Sequence, residues 1–397
     1  MDEDVKKPGF MTRLSHAGRA GTHVYGFVNP PVMRGSTVLA ESVAAKRAHG
    51  ERKLEQHMSY GTDGGPTHWA LENAVAEIEG GTRCQIVSTG LAAITLPLLA
   101  YLSAGQHALL PDSIYGPGRR FADTMLNRMG VEVTYYDPMI GAAGLEALMR
   151  PNTAVVYLES PGSHTFEVQD VPALAAVAHA HGAKVLMDNT WGIHFFQPFR
   201  HGVDVSIQAL TKYVGGHSDV LLGSVTVASD ADWEIVKNAA RTLGYFASPD
   251  DCWLALRGAR TMGVRLERQM RSGIEVATWL QGRPEVLRVL HPALPGSPGH
   301  AFWKRDFTGA CSLFGVVFRP EYKQPQIDAF VDSLNLFGIG SSWGGYESLA
   351  LPTAVPRTAG SGDFGGLLVR LHIGLEDVPD LIADLEQGLT TLPHPPS

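Results

Sequence analysis

Val205-Ser206-Ile207-Gln208-Ala209-Leu210-Thr211-Lys212-Tyr213-Val214-Gly215-Gly216-His217-Ser218-Asp219 is the stretch that decides how this chain is read. Its first part is an apolar run and its second is rich in Gly and turn formers, so it predicts a buried strand over 205–209 that has ended by Lys212. A lysine at the carboxyl end of a buried strand is stripped of water, which favours its neutral, nucleophilic amine. Upstream, the run Ala183-Lys184-Val185-Leu186-Met187 ends in Asp188-Asn189-Thr190 and presents a carboxylate in the same way. Two strands thus offer a base and a counter-ion.

Working outward from that pair, short β-rich runs alternate with helical patterns: Gln85 to Ser88, His107 to Leu110, Val131 to Tyr136, Thr153 to Leu158, Ala183 to Met187, Val205 to Ala209 and Leu222 to Val227. This alternation predicts an α/β fold around a mostly parallel, seven-stranded sheet. The run Ala154-Val155-Val156-Tyr157-Leu158 has no polar alternation, which places it in the middle of the sheet with both faces covered. Ahead of the sheet, Ala70, Leu71, Ala74, Val75 and Ile78 fall at helical spacing and stop at Gly80-Gly81. Beyond about residue 253 the pattern becomes long amphipathic helix and then, over Asp306 to Phe318, opens a second set of β-rich runs. It closes on Leu367 to Gly374 and a helix striped by Val378, Leu381, Ile382, Leu385 and Leu389. The expected organisation is an arm over 1–64 that docks on another subunit, a main domain over 65–258 and a smaller α+β domain over 259–397.

The totals narrow the functional class. The chain has 397 residues, 44% of them hydrophobic and 18% charged, with a net charge of −8. That is the profile of a globular enzyme, and without clustered Lys and Arg it argues against a nucleic-acid surface. The acidic start, Met1 to Lys7, is followed by no apolar block, and Leu91 to Leu102 is too short and interrupted to span a bilayer, so a cytoplasmic location is expected. Cys84, Cys252 and Cys311 read as reduced core thiols, the His residues show no HExxH spacing, and no metal is assigned. The Pro-rich end after Leu392 reads as a frayed tail.

Other residues converge on the crevice beyond the strand ends, where open parallel sheets bind ligands. Ser88-Thr89-Gly90-Leu91 turns directly into a helix, so the amides of Gly90 and Leu91 can face a phosphate, although such a turn is equally a helix cap. Tyr115 stands in a Pro-and-Gly loop where a flat ring can stack on a pyridine, and Thr211 offers a hydroxyl beside Lys212. Arg370 lies in an apolar strand and needs an anionic partner, for which a substrate carboxylate or a structural acid serves equally. An amine that makes Schiff bases and an acid that keeps a pyridine nitrogen protonated are the two groups that pyridoxal 5'-phosphate requires.

Met187-Asp188-Asn189-Thr190-Trp191, Ser206 to Tyr213, Gly216-His217-Ser218-Asp219, Ser342-Trp343-Gly344-Gly345-Tyr346-Glu347-Ser348 and Arg370 to Asp377 together resemble the Cys/Met-metabolism family of pyridoxal-phosphate enzymes, from about Tyr60 to Leu389. Within it, the chain is most similar to the bacterial cystathionine β-lyase branch. The resemblance implies a type I aminotransferase-like fold in a homotetramer, a dimer of dimers with shared sites. It implies that Lys212 holds the cofactor, Asp188 meets the ring nitrogen, Tyr115 stacks on the ring, and Gly90, Leu91 and Thr211 bind phosphate. Ser342, Trp343 and Arg370 would hold the substrate carboxylate, and Tyr60 would arrive from the neighbouring subunit. The implied activity is cleavage of L-cystathionine, or another cysteine thioether, to a thiol, pyruvate and ammonia. Trp343 favours this over γ-elimination or γ-replacement, because γ-lyases commonly carry Leu there.

One departure stands out. The family follows its arm tyrosine with an Arg two positions later that clamps the phosphate across the dimer, whereas this chain reads Tyr60-Gly61-Thr62-Asp63. Thr62 cannot replace a bidentate cation, and Asp63 would repel phosphate if it pointed inward. The departure leaves room for a β-lyase of another cysteine conjugate in specialised metabolism, or for a regulatory relative without cofactor.

Overall fold

Seven strands form where the sequence predicts them: β1 (Arg83–Val87), β2 (His107–Pro111), β3 (Glu132–Tyr136), β4 (Thr153–Glu159), β5 (Lys184–Asp188), β6 (Val205–Gln208) and β7 (Gly223–Val227). The protein is described by a computed structural model over residues 8–19, 26–360 and 362–393. The acidic start and the last tail residues, 394–397, lie outside the described residues. The strands join in the order β1-β7-β6-β5-β4-β2-β3, parallel except that β7 runs against both β1 and β6. The unbroken apolar run of β4 lies inside the sheet, between β5 and β2. Val155, Val156, Tyr157 and Leu158 are inaccessible there, each aliphatic contributing about 1.5–3 kcal/mol of burial.

Helices cover both faces because their apolar stripes need a partner. Helix Pro66–Glu79 starts with Pro in its first turn and stops at Gly80, whose φ of 76° is the left-handed conformation that only glycine adopts cheaply. Helix Gly90–Tyr101 is capped by the Thr89 hydroxyl, which accepts from the Ala92 amide at 3.0 Å.

A second sheet, β8 (Val286–Leu290), β9 (Leu313–Phe318), β10 (Leu349–Thr353) and β11 (Leu368–His372), is antiparallel throughout in the order β10-β11-β9-β8. Phe314, Phe318, Phe330, Leu381 and Leu385 form its core with helices Gln324–Asp332 and Val378–Leu389. Helix Pro249–Gln281 runs past both sheets and gives Ala255 and Leu256 to one core, Val276 and Leu280 to the other. Among the described residues, no helix is long and apolar enough to cross a membrane, and no group of His, Cys, Asp and Glu could hold a metal. The three cysteines are free and buried.

Candidate active site

The crevice is built where β5 and β6 end side by side. Their parallel register pairs Asp188 with Ile207, so the chain after β6 turns within reach of that carboxyl. The turn is closed by hydrogen bonds from the Lys212 amide to Ala209 O (3.1 Å), Gly215 to Leu210 O (2.8 Å) and Gly216 to Lys212 O (2.7 Å). Lys212 is half-buried, and its Nζ donates to Ser342 Oγ at 2.7 Å, 5.4 Å from the Trp343 ring centre. Burial, then the nearby Arg370 charge, push the amine down to about 8, while Asp188 works in the other direction. An appreciable neutral fraction is therefore present near neutral pH.

The loop carrying Ser342 and Trp343 lies directly on the lysine's backbone. A Cβ at Gly344 would stand 2.8 Å from the Tyr213 amide nitrogen, and Gly344 has φ +85°, so glycine is required there. Ser342 itself adopts φ +77°, a strained conformation for a residue with a side chain. Below the turn, the buried Arg265 donates to Tyr213 O (2.8 Å) and Gly258 O (2.9 Å), fixing the Lys212 loop against helix Pro249–Gln281.

Two acids, Glu159 buried and Asp188 half-buried, sit side by side on neighbouring strands. Glu159 and Asp188 are register partners at the ends of β4 and β5. Burial raises the Asp188 carboxyl, and burial with the adjacent Asp188 raises Glu159 to about 8. Asp188 accepts from the Thr190 amide at 2.9 Å, and Glu159 from the Tyr115 amide at 2.8 Å. That bond ties the Tyr115 loop to the site. Burial and these two acids raise the phenol, which stays protonated at neutral pH.

Arg370, 5% exposed in β11, donates to Gly340 O at 3.0 Å and leaves its buried Nε without a partner. No carboxylate pairs with it among the described residues, and burial pushes it down to about 10. Of the two partners open at the sequence level, the structural acid is therefore absent. A guanidinium in this state is an anion site in waiting. Beside it, His372 accepts from the Gly344 amide at 3.1 Å, and burial holds its ring neutral.

At the other end of the crevice, helix Gly90–Tyr101 presents its open first turn, with the amides of Gly90 and Leu91. A Cβ at Gly90 would lie 2.7 Å from Ala209 Cβ, so the helix start is pressed against the strand that leads to Lys212. Thr211 differs from expectation: its hydroxyl donates to Leu222 O (3.2 Å) and accepts from the Leu222 amide (3.0 Å), so it already bridges the loop to β7. Tyr60 is exposed on the arm, bridged to Thr37. Thr62 is exposed too, but Asp63 is buried and hydrogen-bonded to Arg241 and Ser59, so its charge is spent within its own chain.

These groups fit pyridoxal phosphate. A water-poor amine, a half-buried acid on the adjacent strand, an aromatic loop residue, a helix start pressed to the crevice and an unpaired guanidinium are the groups its aldehyde, pyridine and phosphate, and an amino-acid carboxylate, would use. Sequence reasoning missed Glu159, Arg265 and the buried Glu79. Each looks like an ordinary charged residue at the end of an element or on a helix. The available signals were an acid closing the apolar run of β4 and an acid in the last turn of a helix, where the dipole disfavours it.

Residues 11–390 match the family model described as Cys/Met metabolism PLP-dependent enzyme. A Rhizobium johnstonii protein provisionally named a cystathionine β-lyase is 50% identical over 392 residues, covering 98% of this chain and 97% of its own. Cystathionine β-lyase MetC of Escherichia coli K12 is 42% identical over 389 residues, with 96% and 98% covered. The solved structure of metB from Corynebacterium glutamicum superposes with a TM-score of 0.88 at 31% identity, over 97% of this chain and 98% of that one. On sequence and fold together, the chain belongs to the Cys/Met-metabolism family of pyridoxal-phosphate-dependent enzymes.

Proposed function

We propose that the protein is a carbon–sulfur β-lyase that cleaves L-cystathionine to homocysteine, pyruvate and ammonia. The observation that carries the reading is the Lys212 amine, half-buried and depressed to about 8, between Asp188 and the Ser342–Arg370 side of the crevice. The similarity to cystathionine β-lyases over nearly the whole chain supports it. Lys212 would hold pyridoxal phosphate, Asp188 would meet its ring nitrogen, Tyr115 would cover the ring, and Gly90 and Leu91 would take the phosphate. Thr211 would join them if its bond to Leu222 opens. When bound, the cofactor supplies an electron sink for the charge left at Cα.

In this reading Arg370 takes the substrate carboxylate through its free Nε edge, with Ser342 and Trp343 walling the same side. That fixes Cα within reach of Lys212, whose neutral amine removes the proton. The departing thiolate receives a proton from Lys212 or from the Tyr115 phenol. Water then completes the conversion to pyruvate and ammonia. Trp343, in the position where γ-lyases carry Leu, favours β over γ cleavage. Thr62 favours a second reading in which another cysteine conjugate replaces cystathionine.

The arm over 1–64, the main domain over 65–258 and the smaller one over 259–397 are part of the same proposal, supported by the two separate sheets. Exposed Val28, Leu39 and Val43 on the arm support its docking on another subunit of a homotetramer, where Tyr60 would enter the neighbouring site. We place the enzyme in the cytoplasm. The deciding assay supplies L-cystathionine and identifies the keto acid. Pyruvate is expected, and 2-oxobutyrate overturns the β assignment. Lys212→Ala should lose both turnover and the near-visible colour of the bound cofactor; retention of both overturns the role of Lys212.

A further inference from the structure

Glu79 closes helix Pro66–Glu79, where a negative charge opposes the helix dipole, and it is completely inaccessible to solvent. An acid in that position needs a reason. Its carboxyl meets three side chains: Oε1 accepts from Gln208 Nε2 at 2.7 Å and from Asn189 Nδ2 at 3.1 Å, and Oε2 shares a hydrogen bond with the Ser206 hydroxyl. Among the described residues no cation pairs with it, and burial raises it to about 8. Burial thus favours its protonated form near neutral pH, against the pull of the three hydrogen bonds.

The identity of those three partners is what matters. Asn189 directly follows Asp188. Ser206 and Gln208 flank Ile207, the residue registered against Asp188, and Gln208 begins the turn that ends in Lys212. Gln208 Nε2 also donates to Asn189 O at 2.9 Å, and Asn189 Nδ2 to Ile193 O (3.0 Å) and Phe196 O (3.2 Å). One carboxyl therefore joins the ends of the two strands that carry the base and the counter-ion, from a helix that contributes neither.

We propose that Glu79 is a positioning residue of the site, a buried carboxyl that pins the ends of β5 and β6 to helix Pro66–Glu79 and so fixes the separation of Asp188 from Lys212. This rests on the reading that those two residues hold the cofactor. A glutamine is the close mimic of a neutral acid here, since its oxygen accepts from Gln208 and Asn189 while its amide donates to Ser206. A leucine fills the space and makes none of the three bonds.

The test uses holoenzyme reconstituted with pyridoxal phosphate, read by cofactor affinity and by near-visible circular dichroism of the bound cofactor. Glu79→Leu is expected to weaken cofactor binding about ten-fold and to displace or flatten the dichroic band, whereas Glu79→Gln stays within about two-fold of the parent. Leu381→Ala, in the core of the smaller sheet, provides a variant destabilised elsewhere and is expected to leave the band unmoved. A folded Glu79→Leu protein with parental affinity and band overturns the proposal, as does Glu79→Gln failing as badly as Glu79→Leu. Should the leucine variant not fold, Ser206→Ala removes one of the three bonds and is expected to weaken binding about three-fold; parental values there overturn the proposal too. A parent chain that takes up no cofactor overturns the reading beneath it, before any variant is compared.

Discussion

Arg370→Met separates a residue kept for folding from one kept for a ligand. Arg370 is 5% exposed and, among the described residues, has a single hydrogen bond, to Gly340 O at 3.0 Å, with its buried Nε unpaired. Burial pushes it down to about 10, so the fold is strained against its charge. A buried charged donor without a partner costs about 1–3 kcal/mol, and the Gly340 bond returns about 1 kcal/mol. Methionine, unbranched and apolar, should therefore leave the apoprotein equally stable or about 1–2 kcal/mol more stable. The same change removes a two-pronged, charge-assisted grip on a carboxylate, a loss of about 2–5 kcal/mol. That corresponds to a fall of roughly 30- to 4,000-fold in kcat/KM, with KM carrying a large share. Urea denaturation of the apoprotein and the kinetics of pyruvate release measure the two halves separately. A variant destabilised by more than about 1 kcal/mol, or one with unchanged KM, would refute the argument.

Two further outcomes follow from buried charges. Lys212 releases its proton at about 8 in the folded chain rather than at 10.5, so between those values the unfolded state binds more protons and apoprotein stability should rise with pH. Lys212→Met should flatten that rise in denaturation curves taken from pH 7 to pH 11, and an unaltered slope would show that another group causes it. Arg357, its side chain 2% exposed, pairs with Glu167 at 2.7 Å, while the amides of Thr358 and Ala359 bond to Asp112 at 2.6 and 2.8 Å. Arg357→Ala leaves Glu167 buried and unpaired, so a loss of about 3–5 kcal/mol is expected, with faster hydrogen exchange at Thr358 and Ala359; unchanged exchange would mean that Asp112 holds the segment unaided.

The large sheet was legible because its strands are buried on both faces and read as unbroken apolar runs; β4 is the clearest case. The smaller sheet was legible only in its interior strands, β9 and β11. Its edges were not. β8 exposes Leu287 and Arg288, and β10 contains Pro352 and is mostly half-buried, so neither shows the burial or the alternation that marks a strand. At the site, Lys212, Asp188 and Arg370 stood out as charged residues closing or interrupting apolar runs, and the motifs around them narrowed readings that each alone left open. Glu159 closes such a run too, but the neighbours that give it and Glu79 a place, Asp188 for one and Ser206 for the other, are distant in sequence. Thr211 was visible in the sequence as a hydroxyl beside Lys212, but its bonds to Leu222 depend on where the chain enters β7.

What unites the crevice is that local rules fail there together. Among the described residues Lys212 is half-buried without a salt bridge and Arg370 has no counter-ion, Ser342 holds φ +77°, and Glu159 and Asp188 are neighbouring acids, one buried and one half-buried. Each is unfavourable in the chain alone, whereas Arg357 has Glu167, and Asp112 has Arg119 and three backbone amides. A crevice that gathers several such unmet groups is a candidate ligand site. In the proposed reading a pyridine nitrogen would answer Asp188, an aldehyde Lys212 and a substrate carboxylate Arg370, so the substrate class is argued from the pattern of unmet partners rather than from any one residue.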